Sequence, residues 1–207
     1  ESCRRIQGPL AGHLLSLLGA NVIRIEPPGG DPLRGMPPLA DGCSARFDAL
    51  NHLKDIREID IKSAAGQKEI KELVRQADVF LHNWMPGKTD SAEHISSSAL
   101  PGTDFMAQAY SGIAQKIAKA SGIQGGSLFT VLDVLGGVIA AQGICVALLN
   151  RCMNNVGAKV TSSLMSAATL LCADDFQNLY DPSGTDSSTK SMINAVYATK
   201  HEKIAIE

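Results

Sequence analysis

The sequence predicts an α/β protein in which helices cover a parallel sheet, followed by the beginning of a second, smaller domain. Two helix–strand units succeed each other between Leu10 and Trp84. A long apolar stretch then follows Asp133, and the last residues alternate as a hairpin. Repeated alternation of helices and strands is typical of a parallel sheet flanked by helices, with ligands at the carboxyl ends of the strands.

The first unit lies in the segment GPLAGHLLSLLGANVIRIEPPGGDPLRG. Its apolar spacing predicts a helix over residues 10–18, and Gly19 predicts a turn. Alternation then predicts a strand over residues 21–26, and a loop rich in proline and glycine follows it.

The second unit begins with REIDIKS, residues 57–63, which alternates as a short strand. In AAGQKEIKELVRQA, residues 64–77, Ile70, Leu73 and Val74 share one helical face, which predicts an amphipathic helix. DVFLHNW, residues 78–84, has the continuous apolar character of a strand in a parallel sheet. The two units together predict a Rossmann-like parallel sheet.

The rest of the chain is predicted to be mainly helical before a linker. A helix begins near Asp104 in GTDFMAQAYSGIAQ, an apolar helix covers residues 133–149, and VGAKVTSSLMSAATLL enters a further helix through a strand-like stretch. Residues 174–191 are rich in Asp, Ser, Thr and Gly, and AVYATKHEKIAIE alternates as a hairpin. We therefore predict a large domain over residues 1–173, a linker over 174–194 and the start of a small domain over 195–207.

Composition excludes several classes of function. The 207 residues are 44% hydrophobic, and 19 basic residues balance 21 acidic ones. No basic cluster is interleaved with aromatic residues, so no nucleic-acid partner is expected. There is no G-x-G-x-x-G motif opening a helix and no phosphate-binding P-loop. Small metabolites or proteins are the expected partners.

The five cysteines are scattered, without a C-x-x-C motif or a histidine at metal-ligand spacing. No metal site is therefore predicted, and a reducing cytoplasm is the expected setting. The opening ESCRRIQGPL lacks the apolar core of a signal peptide. The apolar stretch of residues 134–149 is predicted to be too short for a membrane span, so no membrane partner is expected.

Asp133 is the one charged residue in SLFTVLDVLGGVIAAQGICVALL. A carboxylate at the start of an apolar helix either caps the helix, accepting from unpaired backbone N–H groups, or takes part in chemistry. Aspartate is a favoured N-cap, and local pattern alone favours capping. Residue type and spacing leave both roles open.

Four separated blocks carry a resemblance to a known family. They are GPLAGHLLSLLGANVIRIEPPGGDPLRG, IDIKSAAGQKEIKELVRQADVFLHNWMPG, PGTDFMAQAYSG and LDVLGGVIAAQGICVALL. In this order they resemble the family III CoA-transferases, a group that also contains 2-methylacyl-CoA racemases. Chains of that family are longer, so the resemblance implies that the large domain here is incomplete. Between Lys88 and Pro101 the family's further strand and glycine-rich loop are missing.

The resemblance places the catalytic role on Asp133. It implies a CoA-transferase in which this carboxylate attacks an acyl-CoA thioester, giving first a mixed anhydride and then an aspartyl-CoA thioester. Gly136 and Gly137 are expected to let the thioester approach the backbone closely. The helix N-terminus is expected to favour the ionised form of the carboxyl group.

The resemblance also implies coenzyme A contacts. The matching positions are Gln7, the run Ile59, Asp60, Ile61 and Lys62, and the pair Asn83 and Trp84. Coenzyme A or an acyl-CoA is expected as a substrate, with no tightly bound cofactor, and a small carboxylic acid as its partner. The family further implies an interlocked homodimer. Where formyl-CoA transferase carries a basic residue after the IE pair, this chain has Pro27.

Two alternatives remain open. An acyl-CoA racemase or isomerase of the same family needs a second acid/base group, and the racemase branch has a histidine where this chain has Thr103. That difference favours the transferase. A non-catalytic homologue that binds CoA is the other alternative, favoured by the missing segments.

Overall fold

The computed structural model describes residues 1–84, 102–121, 129–173, 195–198 and 203–206. The chain divides into two compact units, Glu1–Leu171 and Cys172–Glu207. The predicted linker and the segment between Lys88 and Pro101 lie outside the described residues.

The first unit begins with a helix, a strand and a short hairpin. These elements are α1 (Gln7–Leu17), β1 (Ile23–Glu26), a 3-10 turn (Pro32–Gly35), β2 (Leu39–Ala40), β3 (Cys43–Ser44) and α2 (Ala45–Asn51). Helix α1 starts three residues earlier than predicted. Pro9 falls in its first turn, where a missing N–H costs no helical hydrogen bond. The hairpin β2–β3 and helix α2 were not predicted.

A parallel pair forms the centre of the sheet. Strand β4 (Asp55–Glu58) pairs with β1 in parallel, and α3 (Ala64–Gln76) follows it. The strand predicted over residues 57–63 therefore lies earlier, because the Asp60 side chain accepts from the Lys62 N–H and turns the chain there. Backbone bonds from Glu1 to β1 and from Ser2 to Leu81 extend the parallel arrangement.

The strand predicted over residues 78–84 is reduced to a single parallel bridge between Ser2 and His82. Residues 156–163, predicted to be strand-like, form no strand either. The strand-like sequence pattern thus predicted a larger sheet than the described residues form.

Helices make up the remainder of the first unit. They are α4 (Asp104–Ser111), α5 (Ile113–Ser121), α6 (Val131–Asn154) and α7 (Leu164–Leu171). Helices α1 and α6 pack through small residues, with Ala11, Ala140 and Ala141 forming one core cluster. Ile25, Ile59 and Ile70 form a second cluster between the sheet and α3. The parallel sheet with helices confirms the predicted α/β class.

Helix α6 has 24 residues and is longer than its apolar pattern predicted. By length and composition it could cross a membrane, so the argument that the stretch is too short was wrong. One such helix is weak evidence for a membrane, because the core helix of a soluble protein meets the same criterion. Its buried positions include Leu132, Ala141 and Ile144, which pack inside the unit.

A buried network of charges lies under β1. The guanidinium of Arg24, which is fully buried, pairs with Glu1 at 2.7 Å, Glu26 at 3.3 Å and Asp31 at 2.6 Å. The Lys54 ammonium contacts the same Glu1 carboxylate at 2.9 Å. Each buried cation therefore has an anionic partner, as burial requires.

The second unit contains an antiparallel pair, β5 (Ala195–Ala198) and β6 (Lys203–Ile206). Ala195 lies opposite Ile206, and Ala198 lies opposite Lys203. This is the hairpin predicted from the alternating sequence. The division into a large domain, a linker and a small domain stays a proposal.

Candidate active site

A cavity of about 170 Å³ lies beside the first turn of α6. It is lined by Arg4, Arg5, Gln7, Asn83, Gly102, Thr103, Asp104, Asp133 and Leu164. These residues come from the turn before α1, the chain after the Ser2–His82 bridge, the start of α4 and the starts of α6 and α7. Three of the predicted site residues therefore meet here: Gln7, Asn83 and Asp133.

Asp133 is the third residue of α6, and it does not cap that helix. Thr130 occupies the N-cap position without a side-chain cap bond. Instead, the backbone N–H of Asp133 donates to the Asp104 carboxylate at 2.6 Å. The capping role that local pattern favoured for Asp133 thus belongs to Asp104, and the Asp133 side chain is left to line the cavity.

Asp104 is held firmly at the start of α4. It is only 3% exposed, and its other carboxylate oxygen accepts from the side-chain amide of Gln108. The same Gln108 amide donates to the carbonyl of Phe129 at 2.9 Å, two residues before α6 begins. These bonds tie the first turns of α4 and α6 together, so the backbone around Asp133 has a fixed position.

The pKa of the Asp133 carboxyl group is raised to about 6. Burial is the largest cause and the negative charge of Asp104 adds to it, while the positive charge of Arg5 acts in the opposite direction. The sequence had led us to expect that the helix N-terminus would favour the ionised form. That expectation was wrong, because the loss of hydration and the like charge of Asp104 raise the pKa by more than the helix N-terminus can lower it.

We expect Asp133→Asn to raise the melting temperature at neutral pH, since asparagine carries no charge in this half-buried place. The folded-state pKa of about 6 lies above the ordinary 3.8, so the ionised carboxylate lowers stability fully above pH 6. That loss disappears as the pH falls below 3.8. Calorimetry at several pH values should show a gain that shrinks on acidification. A gain in melting temperature that does not depend on pH would contradict this prediction. Asp48→Asn, at an exposed position of α2, is the matched control.

Gln7 joins α1 to the cavity. Its side chain donates to the Ser162 hydroxyl at 3.4 Å. A Cβ added at Gly136 would lie 2.5 Å from the Gln7 amide nitrogen, and one at Gly137 would lie 2.8 Å from the Gln7 carbonyl oxygen. The two glycines therefore allow α1 to pack closely against α6. This packing corrects the expectation that they make room for the thioester.

Asn83 lines the cavity, but its side-chain amide is hydrogen-bonded to the backbone of Arg4. It accepts from the Arg4 N–H at 2.9 Å and donates to the Arg4 carbonyl at 2.8 Å. Trp84 does not line the cavity, and its indole N–H donates to the Ser2 hydroxyl at 3.0 Å. Both residues thus support the chain segment that leads into α1.

The run from Ile59 to Lys62 follows β4 and does not line this cavity. Ile59 is buried in the core, and Asp60 bonds the backbone of Lys62. Ile61 packs against the same core cluster, and the Lys62 side chain is exposed. Their role in binding coenzyme A stays a prediction.

Arg4, Arg5 and Asp104 are cavity residues that sequence reasoning did not assign. Adjacent arginines directly before a helix were the available signal for the first two. Thr103, considered only as the replacement for a histidine, does lie in the cavity beside Asp104. Its hydroxyl accepts from the Met106 N–H at 3.4 Å, so it caps α4.

Other parts of the described chain offer less chemistry. A larger hollow of about 610 Å³ is lined only by residues of α3, with no group from a second element. Among the described residues, no three His, Cys, Asp or Glu side chains are placed to hold a metal ion. All five cysteines are free thiols. The cavity beside Asp133 is therefore the candidate active site.

Comparison with known proteins identifies the family. The family model described as CoA-transferase family III matches residues 1–96 and 92–207. The chain belongs to CoA-transferase family III. This confirms the resemblance found in the four sequence blocks.

Curated proteins from several bacterial strains are similar to this chain. Proteins called formyl-CoA:oxalate CoA-transferase, from Escherichia coli O157:H7 (strain EC4115 / EHEC) and Shigella boydii serotype 18 (strain CDC 3083-94 / BS512), are 30% identical over 190 residues. The alignments cover 80% of this chain and 46% of each relative. The chain thus spans less than half the length of these relatives.

Solved structures support the family III fold. A CAIB/BAIF family protein from Brucella suis is 24% identical with a TM-score of 0.75, covering 89% of this chain and 57% of that one. A hypothetical protein from Mycobacterium tuberculosis is 22% identical with a TM-score of 0.77, covering 100% of this chain and 63% of that one. At these identities the likeness concerns the fold.

Proposed function

We propose that the protein transfers CoA from an acyl-CoA donor to a carboxylic acid, with Asp133 as the nucleophile. The observation that carries the proposal is the position of Asp133, whose carboxylate lines a cavity with Gln7 and Asn83. The resemblance assigns the catalytic role to the same residue. Within the described residues no hydrogen bond or ion pair engages that carboxylate. Its oxygens are therefore available to attack.

The proposed reaction has four exchanges, and no water is consumed. An Asp133 oxygen attacks the thioester carbonyl and the carbon–sulfur bond breaks. CoA leaves as a thiolate, and a mixed anhydride between Asp133 and the donor acid remains. The thiolate attacks the Asp133 carbonyl, which releases the donor carboxylate and forms aspartyl-CoA. The acceptor carboxylate then displaces CoA to form a second anhydride. CoA finally attacks the acceptor's acyl carbon, which restores the Asp133 carboxylate.

Asp104 supports these exchanges without meeting the substrate carbonyl. Its bond to the Asp133 backbone N–H fixes the first turn of α6, and its charge raises the pKa of Asp133. A more basic carboxylate is a better nucleophile when it is ionised, and at neutral pH a carboxyl group with a pKa of about 6 is mostly ionised. The Asp133 carboxylate is therefore both more nucleophilic than an ordinary aspartate and mostly ionised at neutral pH.

The trapping experiment tests the proposed nucleophile directly. Incubation with an acyl-CoA, followed by hydroxylamine, should convert the activated carboxyl group into a hydroxamate on Asp133. Peptide mass spectrometry locates the modification. The relatives' name points to formyl-CoA and oxalate as the first donor and acceptor to try. A hydroxamate on another residue, or one that persists in Asp133→Ala, would refute the assignment.

A racemase or isomerase is the second candidate, and the pKa of Asp133 favours it. A carboxyl group with a pKa of about 6 is well suited to take a proton from an α-carbon. Thr103 weighs against it, because a hydroxyl cannot return the proton as a histidine does. Deuterium entering the α-carbon of an acyl-CoA without an acceptor acid would favour this reading. Binding of CoA with neither reaction would favour a non-catalytic homologue.

A homodimer and a cytoplasmic location stay part of the proposal. The exposed apolar side chains of α6 support the homodimer, among them Val138, Val146, Leu149 and Met153. Faces of this kind are typical of surfaces that a partner covers.

A further inference from the structure

The hydroxyl group of Ser162 links the start of α1 to the first turns of α6. It donates to the backbone carbonyl of Gly136 at 2.9 Å, and its oxygen accepts from the side-chain amide of Gln7 at 3.4 Å. Ser162 is half-buried and lies just before α7. Three segments that are far apart in the sequence therefore meet at one hydroxyl group.

The direction of these hydrogen bonds determines how the Gln7 amide is turned. A serine hydroxyl has one hydrogen, and a backbone carbonyl can only accept. Because Ser162 donates its hydrogen to Gly136, its oxygen can only accept from Gln7. The amide of Gln7 therefore presents its NH₂ group to Ser162, since the reverse orientation would bring two acceptors together.

The Gln7 amide lies close to Asp133. Both residues line the same cavity of about 170 Å³. A Cβ added at Gly136 would lie 2.5 Å from the Gln7 amide nitrogen, and Gly136 follows Asp133 by three residues, which places the two on one face of α6. The amide nitrogen is therefore about one helical turn away from Asp133. A donor in this place gains by turning toward the carboxylate, because a charged acceptor makes the stronger hydrogen bond.

A hydrogen bond from Gln7 would hinder Asp133 as a nucleophile. It would occupy an oxygen lone pair, and it would stabilise the ionised carboxylate and so make it less basic. Within the described residues, no hydrogen bond or ion pair engages the Asp133 carboxylate. What holds the neighbouring N–H donor elsewhere therefore bears on the reactivity of Asp133.

We propose that Ser162 is a positioning residue that holds the amide N–H of Gln7 away from Asp133 and so keeps that carboxylate free to attack. Ser162 does not line the cavity, and it acts through Gln7. This inference rests on the proposed function, and it adds a residue on which the reactivity of the nucleophile depends.

Titration of the Asp133 carboxyl group, followed by carbon NMR on the intact protein, tests the inference without any acyl transfer. In the unchanged protein its pKa is raised to about 6, first by burial and then by the charge of Asp104, while Arg5 acts in the opposite direction. Arg4 is the other charged residue in the cavity lining. None of these groups changes in the variants below, so a shift in the titration reports on the Gln7 amide.

Ser162→Ala releases the Gln7 N–H, which should then donate to Asp133. The pKa of Asp133 should therefore fall toward the ordinary 3.8, because the new hydrogen bond favours the ionised form. Ser162→Thr keeps a hydroxyl group and should titrate like the unchanged protein. In a Gln7→Leu background, Ser162→Ala should cause no further shift, because a residue that acts only through Gln7 has nothing left to position.

Transfer kinetics give the second readout. Ser162→Ala should lower kcat by about three- to tenfold, the effect of one misplaced hydrogen bond, and leave KM for the donor acyl-CoA within about twofold. Ser162→Thr should restore the rate. In the Gln7→Leu background the loss on Ser162→Ala should disappear.

Ser163→Ala is the matched control. The Ser163 hydroxyl is exposed, and it accepts from the Ser166 N–H at 3.0 Å at the start of α7. Its loss should lower the melting temperature and leave both the Asp133 titration and kcat unchanged. An unaltered titration in Ser162→Ala, or the same shift with and without Gln7, would overturn the inference. An unmodified Asp133 in the trapping experiment refutes the proposed function, whereas the titration decides the role of Ser162 by itself.

Discussion

Asp133→Ala is expected to lower the rate of CoA transfer by roughly 10⁴-fold or more, the scale on which enzymes lose activity with their nucleophile. Alanine removes the only atoms in the cavity that the proposed mechanism acylates. The backbone N–H of residue 133 keeps its bond to Asp104, so α6 should keep its first turn. Steady-state transfer, followed as loss of the donor acyl-CoA, measures the effect.

The control for this loss is Asp48→Ala. Asp48 also lies in the first turn of a helix, α2, but it is exposed and outside the cavity lining. Its replacement should leave transfer within about twofold of the unchanged protein, as surface substitutions usually do. A variant at position 133 that kept a tenth of the activity would show that another group accepts the acyl chain.

Gly137→Ala should lower the free energy of unfolding by about 1–3 kcal/mol, the range seen when a well-packed core receives an extra group. The added Cβ would lie 2.8 Å from the Gln7 carbonyl oxygen and 3.1 Å from the Leu10 Cβ. Neither atom can move without shifting α1. Because Gln7 lines the cavity, a displaced α1 should also weaken transfer. Chemical denaturation and the transfer assay measure the two effects.

Gly143→Ala is the matched substitution on the same helix. It brings the same gain in helix propensity, about 1 kcal/mol, but its Cβ meets the Val160 side chain. Val160 is 39% exposed, so it has room to move away. Gly143→Ala should therefore change stability little or raise it. An equal loss of unfolding free energy in both variants would contradict the prediction that the contact of Gly137 with α1 causes the loss.

Local pattern predicted the helices well where apolar residues recur with helical spacing. Helix α3 was found over nearly its whole length because Ile70 and Leu73 mark its buried face. Helix α2 was missed, since its seven residues bury only Phe47 and Asn51 and give no periodic signal. The strand over 78–84 was overstated, because sheet extent depends on partners that lie far away in sequence.

The candidate site was predictable only in part. Family resemblance marked Asp133, yet its capping partner Asp104 lies 29 residues earlier, and no local rule links the two. Gly136 and Gly137 were assigned to the ligand, although they serve the packing of α6 against α1. Arg5 was missed as a cavity residue because the cavity forms from segments far apart in the sequence, and residue order does not show which of them meet.

The charge network under β1 bears on how this protein can diverge. Arg24 is shut away from water with three carboxylates, and Asp31 is nearly as buried. A lineage that loses Arg24 alone is left with the Asp31 carboxylate buried without its cation, which is costlier than losing the pair. Among descendants of a common ancestor, replacement of Arg24 should therefore be accompanied by replacement of Asp31, whereas Arg24 can outlast Asp31 because Glu1 and Glu26 still pair with it.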